Sequence, residues 1–592
     1  MRAEALLLSS GGLSLESANM AKVLRFFGVP SRAAAVTEFL DYTRLDRGSS
    51  AKSRALCSSD IFFELIRELK DNSEAIRLWR ERAHSVFVYA GNDSEILQKL
   101  LQTLTGDEGS VICKMSPSVA DIAVSDCLDE FSGVMAGVRV TASGSKTDSD
   151  LVLNASKGST VNIISLGGGA VFSKFEYEGV PIFLSTSREI IDIDAELTSQ
   201  NFDVREHFLS AVPLVLYVKW AFAETCWNAP ETNACLVIDD PVLKSTHGFV
   251  NFQELLSLMK RHKFSSNIAF IPWNWRRSAP EVVRLFKENS ENYSVSVHGC
   301  DHTRAEFGSS SQRRLYWKAQ QALERMNRHQ STTGIRHDPV MVFPQGIFSE
   351  AAMSALKRTD LVAAVNNDVV SADPHRRAVT VSELWDIAVM GYSNFPLFTR
   401  RYPWEGIENF AFDALLGKPA IAVIHHDYCS DHCARLVNFI KRLNAPQCAP
   451  TWRSLGEVVR RSCRQREVSP GEVEVEMYGT ELRIENRSEQ SKHFGIRRRE
   501  CEPSAIREVS DGTAPIPWSF ADGYINFELE LGSGESKLVA IKYQPLAVDG
   551  RNGDNLPYRL KTMLRRYLCE VRDNYVTTAR LRLSGSRRRV ES

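Results

Sequence analysis

The sequence predicts a multidomain α/β protein: an N-terminal α/β parallel-sheet domain, a central (β/α) barrel and a small C-terminal antiparallel β-sandwich. Three observations carry that prediction. A chain of 592 residues is too long for one hydrophobic core. Between Ala234 and Trp452 a strand–helix rhythm repeats about seven times, close to the size of a parallel β/α barrel. After Pro470 apolar and polar residues alternate, the two-residue period of strands with one wet face.

In the first 200 residues, short apolar or β-branched runs (Ala5–Leu8, Ser85–Tyr89, Val111–Cys113, Val138–Ala142, Val161–Leu166) alternate with helical stretches at Ser17–Phe27 and Asp60–Glu81. That alternation predicts a mostly parallel sheet flanked by helices. Gly11-Gly12 and Gly167-Gly168-Gly169 follow predicted strands but match neither a dinucleotide nor a P-loop spacing, so tight turns are the simpler expectation. The expected boundaries are 1–200 for this unit, 205–468 for the barrel and 470–546 for the sandwich. Residues 547–592 are expected as a closing helix and a basic tail containing Arg587-Arg588-Arg589.

Bulk properties narrow the function classes. A net charge of −1 gives no overall field toward nucleic acid or an anionic membrane, and no nucleic-acid partner is expected. Twelve cysteines without framework spacing fit a reducing compartment. The opening MRAEALLLSSGG has too short an apolar stretch for a secretory signal. The longest apolar run, Phe208–Ala223, contains Pro213 and Lys219 and falls short of the ~20 residues that span a bilayer. A buried helix, no membrane span and a cytoplasmic location are therefore expected.

Barrel strands are expected at Ala234–Asp239, Asn267–Ile271, Tyr293–Val297, Pro339–Phe343, Leu361–Val365, Asp386–Met390 and Ala420–Ile424. Helices are expected between most of them, as at Phe252–Lys263, Ala279–Asn289, Ser311–His329 and Asp431–Leu443. In such barrels the functional side chains gather at the C-terminal ends of the strands. Four of these ends carry unusual chemistry: Asp239-Asp240-Pro241, His298-Gly299-Cys300-Asp301-His302, Pro344-Gln345-Gly346 and His425-His426-Asp427. Two imidazoles and one carboxylate bind a divalent metal and leave coordination positions open for water and substrate. His298 and His302 face one ion if their segment makes a helical turn, with one aspartate as third ligand. Such an ion acidifies water and polarises a carbonyl, a second carboxylate accepts the water's proton, and an imidazole protonates the leaving group.

These strand ends resemble the motifs of the polysaccharide deacetylase family, the chitooligosaccharide deacetylase-like members of carbohydrate esterase family four. Val237-Ile238-Asp239-Asp240 stands for the first motif, His298 to His302 for His-[Ser/Thr]-x-x-His, and Val423-Ile424-His425 for Leu-x-His. The resemblance implies a barrel of deacetylase type, with Asp239 as general base, Asp240, His298 and His302 as ligands of a divalent metal (zinc the expected ion), and His425 as general acid with His426 in reserve. Gly299 stands where the family has a buttressing Ser or Thr, and Val342-Phe343-Pro344-Gln345 lacks the arginine that orients the base. Arg304 and Arg336 are the candidates to replace it. The fourth motif has a loose counterpart at Trp385-Asp386.

Loop aromatics and arginines suit a saccharide groove, since Trp and Tyr faces stack on sugars and guanidinium groups take anions. Pro344, Gln345, Trp273, Trp275, Tyr392 and Arg400 are the expected substrate contacts, within a wider set that includes Tyr402 and Trp404. Cys429, His432 and Cys433 match no common structural zinc spacing. The implied activity is metal-dependent removal of acetyl groups from an amino sugar of an acylated oligo- or polysaccharide. A non-catalytic carbohydrate-binding barrel is the alternative: the absent arginine favours it, and the retained ligands and acid–base candidates oppose it.

Overall fold

A computed structural model describes residues 4–39, 52–70, 72–115, 121–126, 129–140, 151–155, 160–197, 199–445, 449–547 and 556–577. The central sheet has eight strands, seven of them in the spatial order Leu397–Thr399, Ala363–Asn366, Asp338–Val342, Tyr293–His298, Ser266–Phe270, Asn233–Asp239 and Ala420–Ile424, with the short strand Thr451–Trp452 added to the start of Asn233–Asp239. Every pair among them is parallel. Strands covered on both faces read as continuous apolar runs, and Ala234–Ile238 is buried throughout. The two edges meet at a single bridge, where Arg401 lies parallel to Ala422. Arg401 donates its N–H to Ile421 O at 3.0 Å and accepts from Val423 N at 2.9 Å.

Side chains alternate across the strands. Cys235, Val237, Val340, Val342, Val365 and Ile421 share one apolar cluster with Leu455 and Val458 of the helix Leu455–Arg461, which closes one end of the barrel. Leu236, Ile238, Val295, Val297 and Ile424 belong to the larger core under the surrounding helices. Alternation therefore carries Asp239 onto the same side as Val237.

The expected strand Asp386–Met390 is not one. Asp386 follows the short helix Val381–Trp385, and its carboxylate accepts from Tyr478 Oη and pairs with Arg464 at 3.2 Å. The seventh strand is Leu397–Thr399 instead. The predicted stretch Asp60–Glu81 is two helices, Ser59–Lys70 and Ser73–Arg82, the second capped by Asn72.

The N-terminal sheet is mixed, not mostly parallel. Ser31–Ala34, Ala5–Leu8, Ser53–Ser58, Ala83–Tyr89 and Val180–Ser185 run parallel, and Gly169–Tyr177 and Val161–Leu166 continue the sheet antiparallel. Gly167 and Gly168, with φ of 55° and 90°, make the tight turn that joins those last two strands. One apolar core runs from this sheet through the buried helix Phe208–Ala221 into the barrel. Among the described residues no helix is long and apolar enough to cross a membrane.

C-terminal to the barrel, a five-stranded and a three-stranded sheet enclose their own core, which includes Val475, Ile496, Phe527 and Val539. Their pairings are antiparallel except that of Glu472–Met477 with Lys492–Arg499. The last described elements are the helix Leu556–Val571 and the turn Arg572–Thr577, which lie against the barrel rim. Arg587-Arg588-Arg589 lies outside the described residues.

Candidate metal centre

The parallel register sets Asp239 beside Ala269 and His298 beside Val342, so both side chains stand at the C-terminal end of the sheet. Asp239 is buried, and its Oδ1 and Oδ2 each accept from Arg400, Nη1 and Nη2, at 2.7 Å. Arg400 follows the strand Leu397–Thr399 directly and is itself held by Asn367 Oδ1 at 2.7 Å from Nε. Burial alone pushes the Asp239 carboxyl up, but Arg400, His298 and His425 outweigh it and hold it below the ordinary carboxylate value.

Asp240 has φ of +76°, a left-handed turn that a non-glycine residue takes at a cost. The turn points its Oδ1 between two imidazoles, at 3.5 Å from His298 Nε2 and 3.1 Å from His302 Nε2. The Val342 carbonyl lies 3.0 Å from His298 Nδ1. A carbonyl only accepts, so Nδ1 carries a proton, and in the neutral ring Nε2 keeps the lone pair that a metal would take. The rings of His298 and His302 are 4.8 Å apart between centroids.

The expected helical turn between these histidines does not form. Gly299, His302 and Ala305 have φ of 60°, 55° and 49°, and the loop is gathered instead around Glu306. Its carboxylate accepts the N–H groups of Cys300 (3.0 Å), Asp301 (2.8 Å) and His302 (3.1 Å). A Cβ at position 299 would stand 2.3 Å from Pro344 Cγ and 2.6 Å from Glu306 Oε2, so glycine is needed there.

The donor set of Asp240, His298 and His302 fits a divalent ion. Their ligand atoms lie within 4.8 Å of one another, and Asp240 Oδ1 is buried without a hydrogen-bond partner. Two ligands held ~2.0–2.1 Å from a tetrahedral ion stand about 3.4 Å apart, the spacing found here between the carboxylate oxygen and the two ring nitrogens. Among the described residues one further group has ligand atoms this close, Cys300, Asp301 and Glu306; Cys429, His432 and Cys433 do not form such a group.

His425 is exposed at the end of the strand Ala420–Ile424, its ring 6.3 Å from that of Tyr402. Tyr402 stacks on Trp404 at 4.2 Å, and Trp404 is 60% exposed. His426 is turned the other way. It is buried against Phe249 and His247, with Nε2 3.8 Å from Asp573 Oδ1.

The expected substrate contacts separate into three groups. Tyr392 is a core residue, wholly buried with its hydroxyl donating to Val369 O at 2.8 Å, and does not reach a groove. Arg400 is consumed by Asp239, whereas Arg304 and Arg336, the expected partners of that carboxylate, are both exposed. Pro344 is buried against Gly299, while Gln345 is exposed, with its side-chain oxygen 3.4 Å from Ala305 N. Trp273 is half-buried under Tyr567 and Arg277, and Trp275 lies between Arg276 and Arg328. The role of Glu306 had no sequence signal beyond its nearness to His302. That of Arg400 had one: Leu397-Phe398-Thr399 is a short apolar run ending in a charged residue.

No family model matches the chain, and no curated protein does. Solved structures that resemble part of it include a family 4 carbohydrate esterase from Streptomyces lividans in complex with acetate. That likeness has 13% identity, covers 36% of this chain and 86% of that one, and has a TM-score of 0.22. A Streptococcus mutans CE4 esterase is similar at 12% identity over 38% of this chain and 87% of that one, TM-score 0.25. Puue allantoinase is similar at 14% identity over 39% of this chain and 90% of that one, TM-score 0.25.

Proposed function

We propose that this chain is a metal-dependent hydrolase that removes acetyl groups from an amino sugar of an oligo- or polysaccharide. The observation that carries the reading is the pair of adjacent aspartates in two different environments. Asp240 Oδ1 stands buried without a hydrogen bond between two imidazole nitrogens, while both Asp239 oxygens are fixed by one arginine. The first arrangement suits a ligand and the second suits a base held ionised in a dry site.

Asp240, His298 and His302 would hold the ion. When bound there, a divalent ion would supply Lewis acidity that polarises a carbonyl and lowers the pKa of water toward ~7. Asp239 accepts the proton of the attacking water, and Arg400 keeps it ionised and oriented until then. His425, exposed at the end of the neighbouring strand, where Ile424 pairs with Ile238, donates a proton to the departing amine. The Tyr402–Trp404 stack beside it offers a flat apolar face to a sugar ring. The absent third-motif arginine favoured a binding protein without turnover; Arg400, bonded to both Asp239 oxygens, supports the hydrolase reading.

Metal content of the purified protein and acetate release from acetylated glycans test the reading together. Asp240→Asn should lose metal. Asp239→Asn should keep it and lose a factor of ~10²–10⁴ in rate. If the metal-loaded wild type releases no acetate from any acetylated glycan, the hydrolase reading fails and the binding barrel replaces it.

A further inference from the structure

The helix Leu556–Val571 is turned inside out. Its stripe Tyr558, Thr562, Arg566 and Glu570 repeats every four residues, the spacing of one helix face. That polar face is the one laid on the barrel. Tyr558 Oη lies 2.9 Å from Asp301 Oδ2 and 3.2 Å from Lys318 Nζ, Thr562 and Arg566 are buried, and Glu570 pairs with both Lys244 and Arg277. One turn further, Asn574 Oδ1 accepts from Gly248 N at 2.7 Å.

The outward face is apolar. Leu560, Leu564 and Leu568 are 52%, 61% and 59% exposed, and Met563, Tyr567 and Val571 lie beside them. At 100° per residue these side chains cover an arc of roughly 120–140°, the breadth of a face made for burial. Arg559 and Lys561, both exposed, flank it on either side. In sequence, residues 556–592 hold ten Lys and Arg against three Asp and Glu, in a chain whose net charge is −1. A broad apolar face edged by cations, in the most basic part of a weakly acidic chain, has the composition of a helix that lies in a lipid headgroup layer. Pairing two such faces from two copies would instead bring like charges together.

We propose that the helix Leu556–Val571 docks this protein on an anionic lipid surface, its apolar face in the headgroup layer and its polar face holding the barrel rim. This inference does not depend on the hydrolase reading.

Cosedimentation of the full-length protein with vesicles tests it, using phosphatidylcholine alone and phosphatidylcholine mixed with phosphatidylglycerol. Binding is expected on the mixed vesicles, and roughly tenfold less on phosphatidylcholine alone or at high salt, where the charge term is screened. The triple variant Leu560→Gln, Leu564→Gln, Leu568→Gln should lose binding by roughly tenfold or more with an unchanged melting temperature, since all three side chains face outward. The pair Arg559→Glu, Lys561→Glu should lose the preference for phosphatidylglycerol. Equal sedimentation with and without phosphatidylglycerol overturns the proposal, as does binding that survives the triple variant. So does a wild-type dimer that the triple variant abolishes with no vesicle binding, which would make a second copy the occupant.

Discussion

Two triads of ligand-type side chains sit almost side by side at the barrel mouth. Asp240, His298 and His302 form one; Cys300, Asp301 and Glu306, from the same loop, form the other. By proximity they are equivalent, since in each the three ligand atoms lie within 4.8 Å. By satisfied bonding they are opposites. Asp301 accepts from Arg325 and Lys318, both at 2.6 Å, and from Tyr558; Glu306 accepts three backbone N–H groups; Cys300 Sγ donates to Gln321 at 3.2 Å. Burial also pushes the Cys300 thiol well above its ordinary value, away from the thiolate a metal needs. In the first triad the oxygen facing both histidines has no hydrogen-bond partner. Closeness alone does not mark a metal site; unfilled bonding capacity at close range does.

The sharpest way to break the comparison is to remove one member of each triad. His298→Ala should cost more than ~100-fold in metal affinity, beyond the loss typical of groups that merely orient a ligand, and leave acetate release at background. Metal titration and glycan assays check it. Asp301→Asn should leave the metal stoichiometry of folded protein unchanged and cost ~3–5 kcal/mol of stability, because Lys318 and Arg325 would keep buried charges without their carboxylate. Urea unfolding reads that loss, and a lost metal with unchanged stability would reverse the two assignments.

Arg400→Met probes the next effect in size. Without the guanidinium, burial should raise the Asp239 pKa, so the base stays protonated to higher pH. The acid limb of the pH–rate profile should then move up by ~1–3 pH units. A profile that falls in height without moving would make Arg400 a packing residue only.

The smallest effect concerns a histidine outside both triads. His329 is buried against Phe270 with Nε2 2.8 Å from Ser278 Oγ, and burial, with His337 nearby, lowers its pKa to about 4. It is neutral in the fold and ordinary, near ~6.5, in the unfolded chain. Its contribution is therefore complete above about pH 6.5 and is lost as pH falls toward 4. Melting temperature should decline over that window, and less steeply in His329→Gln.

Asp240 and His298 of the first triad were placed at the rim by the sequence because each lies at the end of a strongly apolar strand, and a parallel barrel gathers such strand ends on one rim. Arg400 obeys the same rule, but its strand is only Leu397–Thr399, and the longer apolar run Asp386–Met390 took its place in the reading. Tyr392 illustrates the converse error: an aromatic beside basic residues reads as a groove until its burial is known. The mixed pairing of the N-terminal sheet was hidden for another reason. Parallel and antiparallel strands buried on both faces have the same apolar pattern, and the two-residue turns Gly167-Gly168 and Glu178-Gly179 were the local marks of the reversals.

Gly299 carries a consequence for how such a loop changes over time. Restoring the Ser or Thr of the motif it resembles would drive a Cβ into Pro344 and into the carboxylate that gathers the loop. The reversion becomes tolerable only after Pro344 and Glu306 have moved or been replaced. A single change at Gly299 loses the clearance, and a single change at Glu306 loses the loop's anchor. A loop that looks eroded when its positions are scored one at a time is thus an alternative solution whose three parts, Gly299, Pro344 and Glu306, fit only as a set.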